Sequence, residues 1–131
     1  MDRSETRVAP QTDRASKARA LPKQQLRKVT LQTGIIYGPV YSRRLGQSLG
    51  INLLPTHYKL CSFNCIYCQY GWTKNVTLSP AEHLKDLPTP DEVANAIELA
   101  LQRLSHDRQT VDSITICGNG EPTLYPNLAE V

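Results

Sequence analysis

No stretch of these 131 residues approaches the roughly 18 consecutive apolar residues of a membrane span, so the sequence is read as non-membrane. There are four cysteines and no legible secretory leader, which leaves a disulfide framework without support and points to a reducing, cytoplasmic setting. A transit peptide is disfavoured as well, because acids are interspersed among the early basic residues and no cleavage pattern follows. His57, His83 and His106 have no ligand spacing and read as polar surface residues. With 40% apolar and 21% charged residues, the composition is that of an ordinary folded domain.

A strong charge of one sign is also missing where it would matter. Met1 to Lys28 holds eight Lys and Arg against three acids, a balance of +5. The remaining residues hold seven basic against nine acidic groups, a balance of −2, so the basic character belongs to the first segment alone. Residues 1–28 are polar and lack sustained apolar periodicity, and are expected to form a disordered tail. An RNA-contacting arm is the alternative, since Lys and Arg bind phosphates without sequence preference.

What is present begins with Cys61-Ser62-Phe63-Asn64-Cys65-Ile66-Tyr67-Cys68. Three thiolates at CxxxCxxC spacing can ligate three irons of a cubane cluster and leave the fourth open, whereas a closed electron-transfer cubane takes four cysteines. An open iron can bind a substrate or cofactor. On this run alone a zinc site using His57 competes, although no second, separated ligand pair follows. Ser62, Phe63, Asn64 and Ile66 are candidates for tuning such a centre, and packing beneath the loop is the plainer reading of Phe63 and Ile66.

A second motif lies downstream. Val111, Ser113, Thr115 and Cys117 alternate with Asp112, Ile114 and Ile116, which reads as a strand. It runs into Gly118-Asn119-Gly120-Glu121-Pro122, where two glycines allow positive φ and close approach of a ligand while Glu121 supplies a carboxylate. Cys117 reads as a small buried residue, not a fourth ligand.

CxxxCxxC with an aromatic before its last cysteine, followed by GNGEP after the next strand, resembles the radical SAM superfamily. The resemblance implies that Cys61, Cys65 and Cys68 hold a 4Fe-4S cluster whose open iron chelates the amino and carboxylate groups of S-adenosylmethionine. It implies that Tyr67 lies against the adenine and that Gly118, Asn119, Gly120 and Glu121 receive the methionyl amino group, with Asn119 as this chain's own variation of the glycine-glycine-glutamate pattern. The run from Tyr37 to Asn52 and the trailing Cys68-Gln69-Tyr70-Gly71 are similar to a bacterial and archaeal group related to the wyosine-forming tRNA-modifying enzymes. The likeness takes in most of the chain from Gly34 to Val131. It implies reductive cleavage of the cofactor to a 5′-deoxyadenosyl radical, a one-electron reductant such as a flavodoxin or ferredoxin, and an RNA base as a candidate substrate. In such chemistry the cofactor performs the hard step while the protein binds and orients it.

The expected fold class is α/β: residues 29–131 form the N-terminal βαβ portion of a radical SAM partial (β/α) barrel, an incomplete domain. Val29 to Tyr37 reads as extended, Ser48 to Leu54 as the first strand, and Thr73 to Leu78 as a further extended piece. Residues 79–88 read as an irregular connection. Thr89-Pro90-Asp91-Glu92 signals a helix start by a capping box with Pro in the first turn, and Val93, Ile97, Leu101 and Leu104 form a core stripe through to Ser105. Strand, loop, helix, strand predicts a right-handed parallel crossover, with both loops leaving the carboxyl ends of their strands and converging there. Tyr125 to Val131 reads as the opening of another helix.

Arg43 and Arg44, placed on an extended segment, would point to opposite faces, so at most one reaches the site. Lys59 and Lys74 flank the cysteine loop as candidate anion contacts. Two functions follow: a radical SAM enzyme whose remaining barrel comes from further chain or a partner, or a truncated, noncatalytic fragment that binds a cluster or RNA without turnover. Formation of 5′-deoxyadenosine separates them.

Overall fold

A computed structural model of the protein describes residues 29–131; the tail expected over 1–28 lies outside the described residues. The fold is mixed α/β, with one helix and a three-stranded sheet in the order β1-β2-β3. Strand β1 (Ile36–Ser42) pairs antiparallel with β2 (Gly46–Ile51), and β2 pairs parallel with β3 (Ser113–Ile116) in a register that sets Leu49 opposite Ile114 and Ile51 opposite Ile116. Helix α1 (Pro90–His106) makes the crossover between the two parallel strands. The βαβ unit expected from the sequence is therefore present, and β1 is an additional antiparallel edge.

Helix α1 starts where its residue chemistry says it must. Thr89 Oγ1 accepts from Glu92 N–H at 3.3 Å and Glu92 Oε2 accepts from Thr89 N–H at 2.7 Å, so two of the orphan donors of the first turn are satisfied reciprocally. The far end closes on Gln109 N–H donating to the Leu104 carbonyl at 2.9 Å around Arg108, which adopts a positive φ of 54°. Of the predicted stripe, Val93 and Leu104 are buried and Ile97 is half-buried, while Leu101 is exposed.

Alternation along the strands gives the sheet two unlike faces. Leu49, Ile51 and Leu53 are buried, and Ile51 and Leu53 pack with Val93 and Tyr125 in one apolar cluster. The other face is polar: Ser48 Oγ meets Thr115 Oγ1 at 2.6 Å, and Tyr37 crosses Gly50 to reach Cys117. A side chain at position 50 would collide with the Tyr37 ring, so the glycine makes that crossing sterically feasible. Strand β3 is paired on one side only among the described residues, and Ile114 and Ile116 on it are exposed.

Several expectations are corrected. Arg43 and Arg44 lie in the turn between β1 and β2, where Ser42 Oγ accepts from the N–H groups of Arg44 and Leu45 at 3.3 and 3.4 Å. The argument from opposite strand faces therefore does not apply to them. Residues 73–78 contribute one isolated bridge, Cys61 to Val76, because the chain there is pinned by side chains and not by a ladder. The irregular stretch contains a 3-10 helix, Ala81–Asp86, and the chain after Glu121 forms two 3-10 turns, Pro122–Leu124 and Leu128–Glu130, in place of a helix.

Candidate metal and cofactor site

Leu60 joins the two motifs. Its N–H donates to the Asn119 carbonyl at 3.0 Å and its carbonyl accepts from Glu121 N–H at 3.0 Å, so the residue before Cys61 is bridged directly to Gly120. Gly120 sits at φ 146°, and a Cβ there would run into the Leu60 backbone carbonyl; one at Gly118 would run into the Asn52 side chain. Gly120 is thus required by close backbone approach, and Gly118 by the buried Asn52 side chain packed against it. Below them Leu54, Leu60 and Leu124 close off the apolar side.

Because of that bridge, Cys61, Cys65 and Cys68 line one open pocket of about 630 Å³ together with Gly118, Gly120 and Glu121. All three thiols are free. Cys61 is buried, Cys65 is exposed and Cys68 lies between, so each meets a different environment. Among the described residues, no group of three His, Cys, Asp or Glu side chains converges tightly enough to hold a metal ion. The structure therefore brings the three cysteines to one pocket without gathering them on a single point.

The cysteine loop is held at few places. Cys68 N–H donates to the Cys65 carbonyl at 3.0 Å, forming the turn of the motif. Asn64 Oδ1 accepts from Thr73 N–H at 2.6 Å, and Thr73 Oγ1 donates to the Phe63 carbonyl at 2.9 Å. Lys59 Nζ donates to Cys68 Sγ at 3.2 Å and to the Gly71 carbonyl at 2.7 Å. Partial burial pushes the Cys68 thiol up, but the hydrogen bond and charge of Lys59, with the N–H groups of Tyr70 and Gly71, outweigh it and bring the thiol below its ordinary value. Tyr67 stands over the loop, 83% exposed, its phenol raised by its hydrogen bond to Cys65 and by the charge of that thiol.

Phe63 and Ile66 do not pack beneath the loop: they are 58% and 88% exposed, and Phe63 lines the pocket beside the cysteines. Asn119 does not line the pocket. Fully buried, its side chain accepts from Gln32 N–H at 2.7 Å and donates to the carbonyls of Gln32 and Pro55, each at 2.8 Å, so it ties the glycine loop to two other segments. Glu121 Oε1 accepts from Thr123 N–H at 3.1 Å and Oγ1 at 2.8 Å, while Oε2 makes no hydrogen bond among the described residues.

Three further contributions were missed or read differently in the sequence. Cys117, read from the sequence as a small buried residue, is instead exposed, and the Tyr37 hydroxyl lies 2.6 Å from its Sγ at the rim of the same pocket; burial and that contact raise the Tyr37 phenol. The contact depends on Tyr37 facing Gly50 across two strands, a register that the sequence did not show. Lys59 carried only a position beside the loop. Behind it lies a second cavity of about 540 Å³, whose lining includes Tyr58, Trp72, Lys74 and His83. There the Tyr58 hydroxyl donates to Asp86 Oδ2 at 2.8 Å; having one proton, it accepts from His83 Nδ1 at 2.9 Å. Burial and the Asp86 carboxylate push Tyr58 up to about 12.

No protein-family profile matches this chain, and no solved structure matches it. Over 97 residues, 74% of its length, the chain is 44% identical to a UPF0026 protein of Helicobacter pylori, and over 96 residues, 73% of its length, it is 41% identical to a UPF0026 protein of Methanocaldococcus jannaschii. The matched segments are 29% and 27% of those proteins, so the chain spans less than a third of the relatives' length. It is also 39% identical over 120 residues, 92% of its length, to 16% of a GTPase Obg of Brachyspira hyodysenteriae. About three quarters of the chain is thus similar, at about 40% identity, to proteins named UPF0026 from a bacterium and an archaeon.

Proposed function

We propose that this chain carries the cluster-binding and cofactor-binding portion of a radical SAM enzyme, within a larger partial barrel. The observation that supports it best is the shared pocket: three free thiols on one loop face Gly118, Gly120 and Glu121 on another across about 630 Å³. The residues fit the group. Thiolates are the donors that iron–sulfur clusters take, and the Leu60–Gly120 bridge sets a backbone edge with a free carboxylate oxygen opposite them.

In this reading Cys61, Cys65 and Cys68 would hold a 4Fe-4S cluster, and the glycine loop with Glu121 would bind S-adenosylmethionine. When bound, the pair supplies reductive cleavage of a sulfonium carbon–sulfur bond and hydrogen abstraction from a substrate. The protein's own residues orient and protect. Glu121 would offer the methionyl ammonium its carboxylate, with Oε1 held by Thr123, and the glycines would let the cofactor approach the backbone. Asn119 acts from behind by holding the loop's shape. Tyr67 would lie against the adenine. Phe63 and Ile66 form the exposed apex that a one-electron reductant such as a flavodoxin or ferredoxin reaches first. An RNA base is the substrate class offered by the resembling subgroup. The GTPase relative's name does not transfer, because the match covers only 16% of that protein.

The test is anaerobic reconstitution with iron and sulfide, followed by electron paramagnetic resonance of the reduced sample with and without S-adenosylmethionine. A cubane signal that changes on addition supports the proposal. A cubane signal that ignores the cofactor removes its second half, and absence of a cluster while Cys61, Cys65 and Cys68 remain free sinks it.

A further inference from the structure

Among the described residues, Cys68 is the one cysteine of the motif whose sulfur receives a hydrogen bond from a charged side chain. The donor is not a wandering surface lysine. Lys59 immediately precedes Leu60, whose two backbone bonds fix it to the glycine loop, so the lysine's own Cα is set relative to both motifs. Its ammonium is held in a second place by the Gly71 carbonyl at 2.7 Å. Gly71 in turn donates its N–H to the Cys68 carbonyl at 3.1 Å, closing a small ring of contacts around the last cysteine.

We infer that Lys59 is a positioning residue that fixes the third thiolate and raises the reduction potential of the cluster it helps hold, an inference that rests on the proposed function. The physics is simple in sign. A cluster gains one negative charge on reduction, and a cation donating to one of its sulfurs stabilises the more negative state. Lys59 is half-buried, so its charge is less screened than it would be in open water. The second contact gives the same residue a geometric part. By drawing Gly71 and Cys68 to one ammonium it holds the end of the cysteine loop in place, whereas Cys65 at the apex has no such support among the described residues.

Charge and geometry separate by substitution. Lys59→Arg keeps the cation and a reach to both acceptors, Lys59→Met keeps the aliphatic bulk without charge or donor, and Lys59→Gln keeps a neutral donor. The measurement is iron and sulfide content of each reconstituted chain, then a redox titration followed by electron paramagnetic resonance. The expected result is a cluster in all four proteins, with the reduced-to-oxidised ratio of Lys59→Met about tenfold lower at a given solution potential, which for a one-electron couple is about 59 mV. Lys59→Gln should fall in the same direction, and Lys59→Arg should return most of the way to the parent. A Met variant that holds its cluster at the parent potential overturns the inference and leaves Lys59 as a loop clamp. If the Met variant holds no cluster, Lys59→Gln decides by the same criterion; loss of the cluster in both also overturns the potential-setting role. A parent chain that binds no cluster overturns the proposed function itself, a result distinguishable from either of these.

Discussion

The two loops that meet at the pocket are built in opposite ways. The glycine loop is overdetermined: Asn119 has no exposed surface, its side chain makes three hydrogen bonds, and its N–H is taken by Asn52 Oδ1 at 3.0 Å. The cysteine loop carries its apex in solvent and is pinned at Asn64, at Thr73 and through Lys59. Regions with few buried contacts open at lower free energy than the core. The lesson is a division of labour, in which one loop is a finished edge and the other is a set of ligands whose final spacing a bound group can adjust.

That contrast is easiest to break at Gly120. Gly120→Ala should destabilise the chain by roughly 3 kcal/mol or more, because the new methyl meets a backbone carbonyl that cannot rotate aside; urea denaturation gives the figure, and a loss under about 1 kcal/mol would show that the edge yields. Asn119→Ala comes next at roughly 2–3 kcal/mol by the same measurement, since it strands the Gln32 N–H and two carbonyls in a buried place. On the other loop, Asn64→Ala removes a single acceptor and should cost about 1 kcal/mol, with the largest rise in amide exchange between Phe63 and Thr73. A larger global loss than that of Asn119→Ala would invert the comparison.

Tyr58, at the base of the cysteine loop, provides a test by pH. Its folded value of about 12 lies above the ordinary phenol value of about 10, so its protonated form is favoured by folding. The stability it contributes is present below pH 10 and is lost as pH rises through 12; Tyr58→Phe should flatten that part of the pH–stability curve. The smallest effect is expected at the apex. Ile66→Ser should stay within about 0.5 kcal/mol of the parent, and a greater loss would mean that the apex is packed after all.

How much of this could be read from residues alone varies with the range of the interactions. Helix α1 was legible because its signals are local: Thr89, Pro90 and Glu92 sit within one turn, and Val93 and Leu104 repeat at its period. The β2-α1-β3 order followed from the same kind of pattern. Strand β1 was not legible as part of the sheet, since Gly38 and Pro39 interrupt its ladder at a register shift and its partner is set by the turn at 42–46. For the site, the cysteines and glycines announced themselves by spacing, and their convergence followed from the crossover. Asn119 did not, because its partners Gln32, Asn52 and Pro55 are scattered along the chain. The exposure of Phe63 and Ile66 runs against their hydrophobicity and was not legible either.

The outer side of β3 governs how this molecule behaves when concentrated. Along this four-residue strand the outward-pointing N–H and C=O groups have no strand partner among the described residues, and Ile114 and Ile116 are exposed beside them. Such a border is a template for whichever strand arrives first, and in a tube of identical molecules that strand is another copy. Pairing through this margin is one route by which the 131-residue chain would self-associate, and Ile114→Lys, which sets a charge on it, should reduce that association.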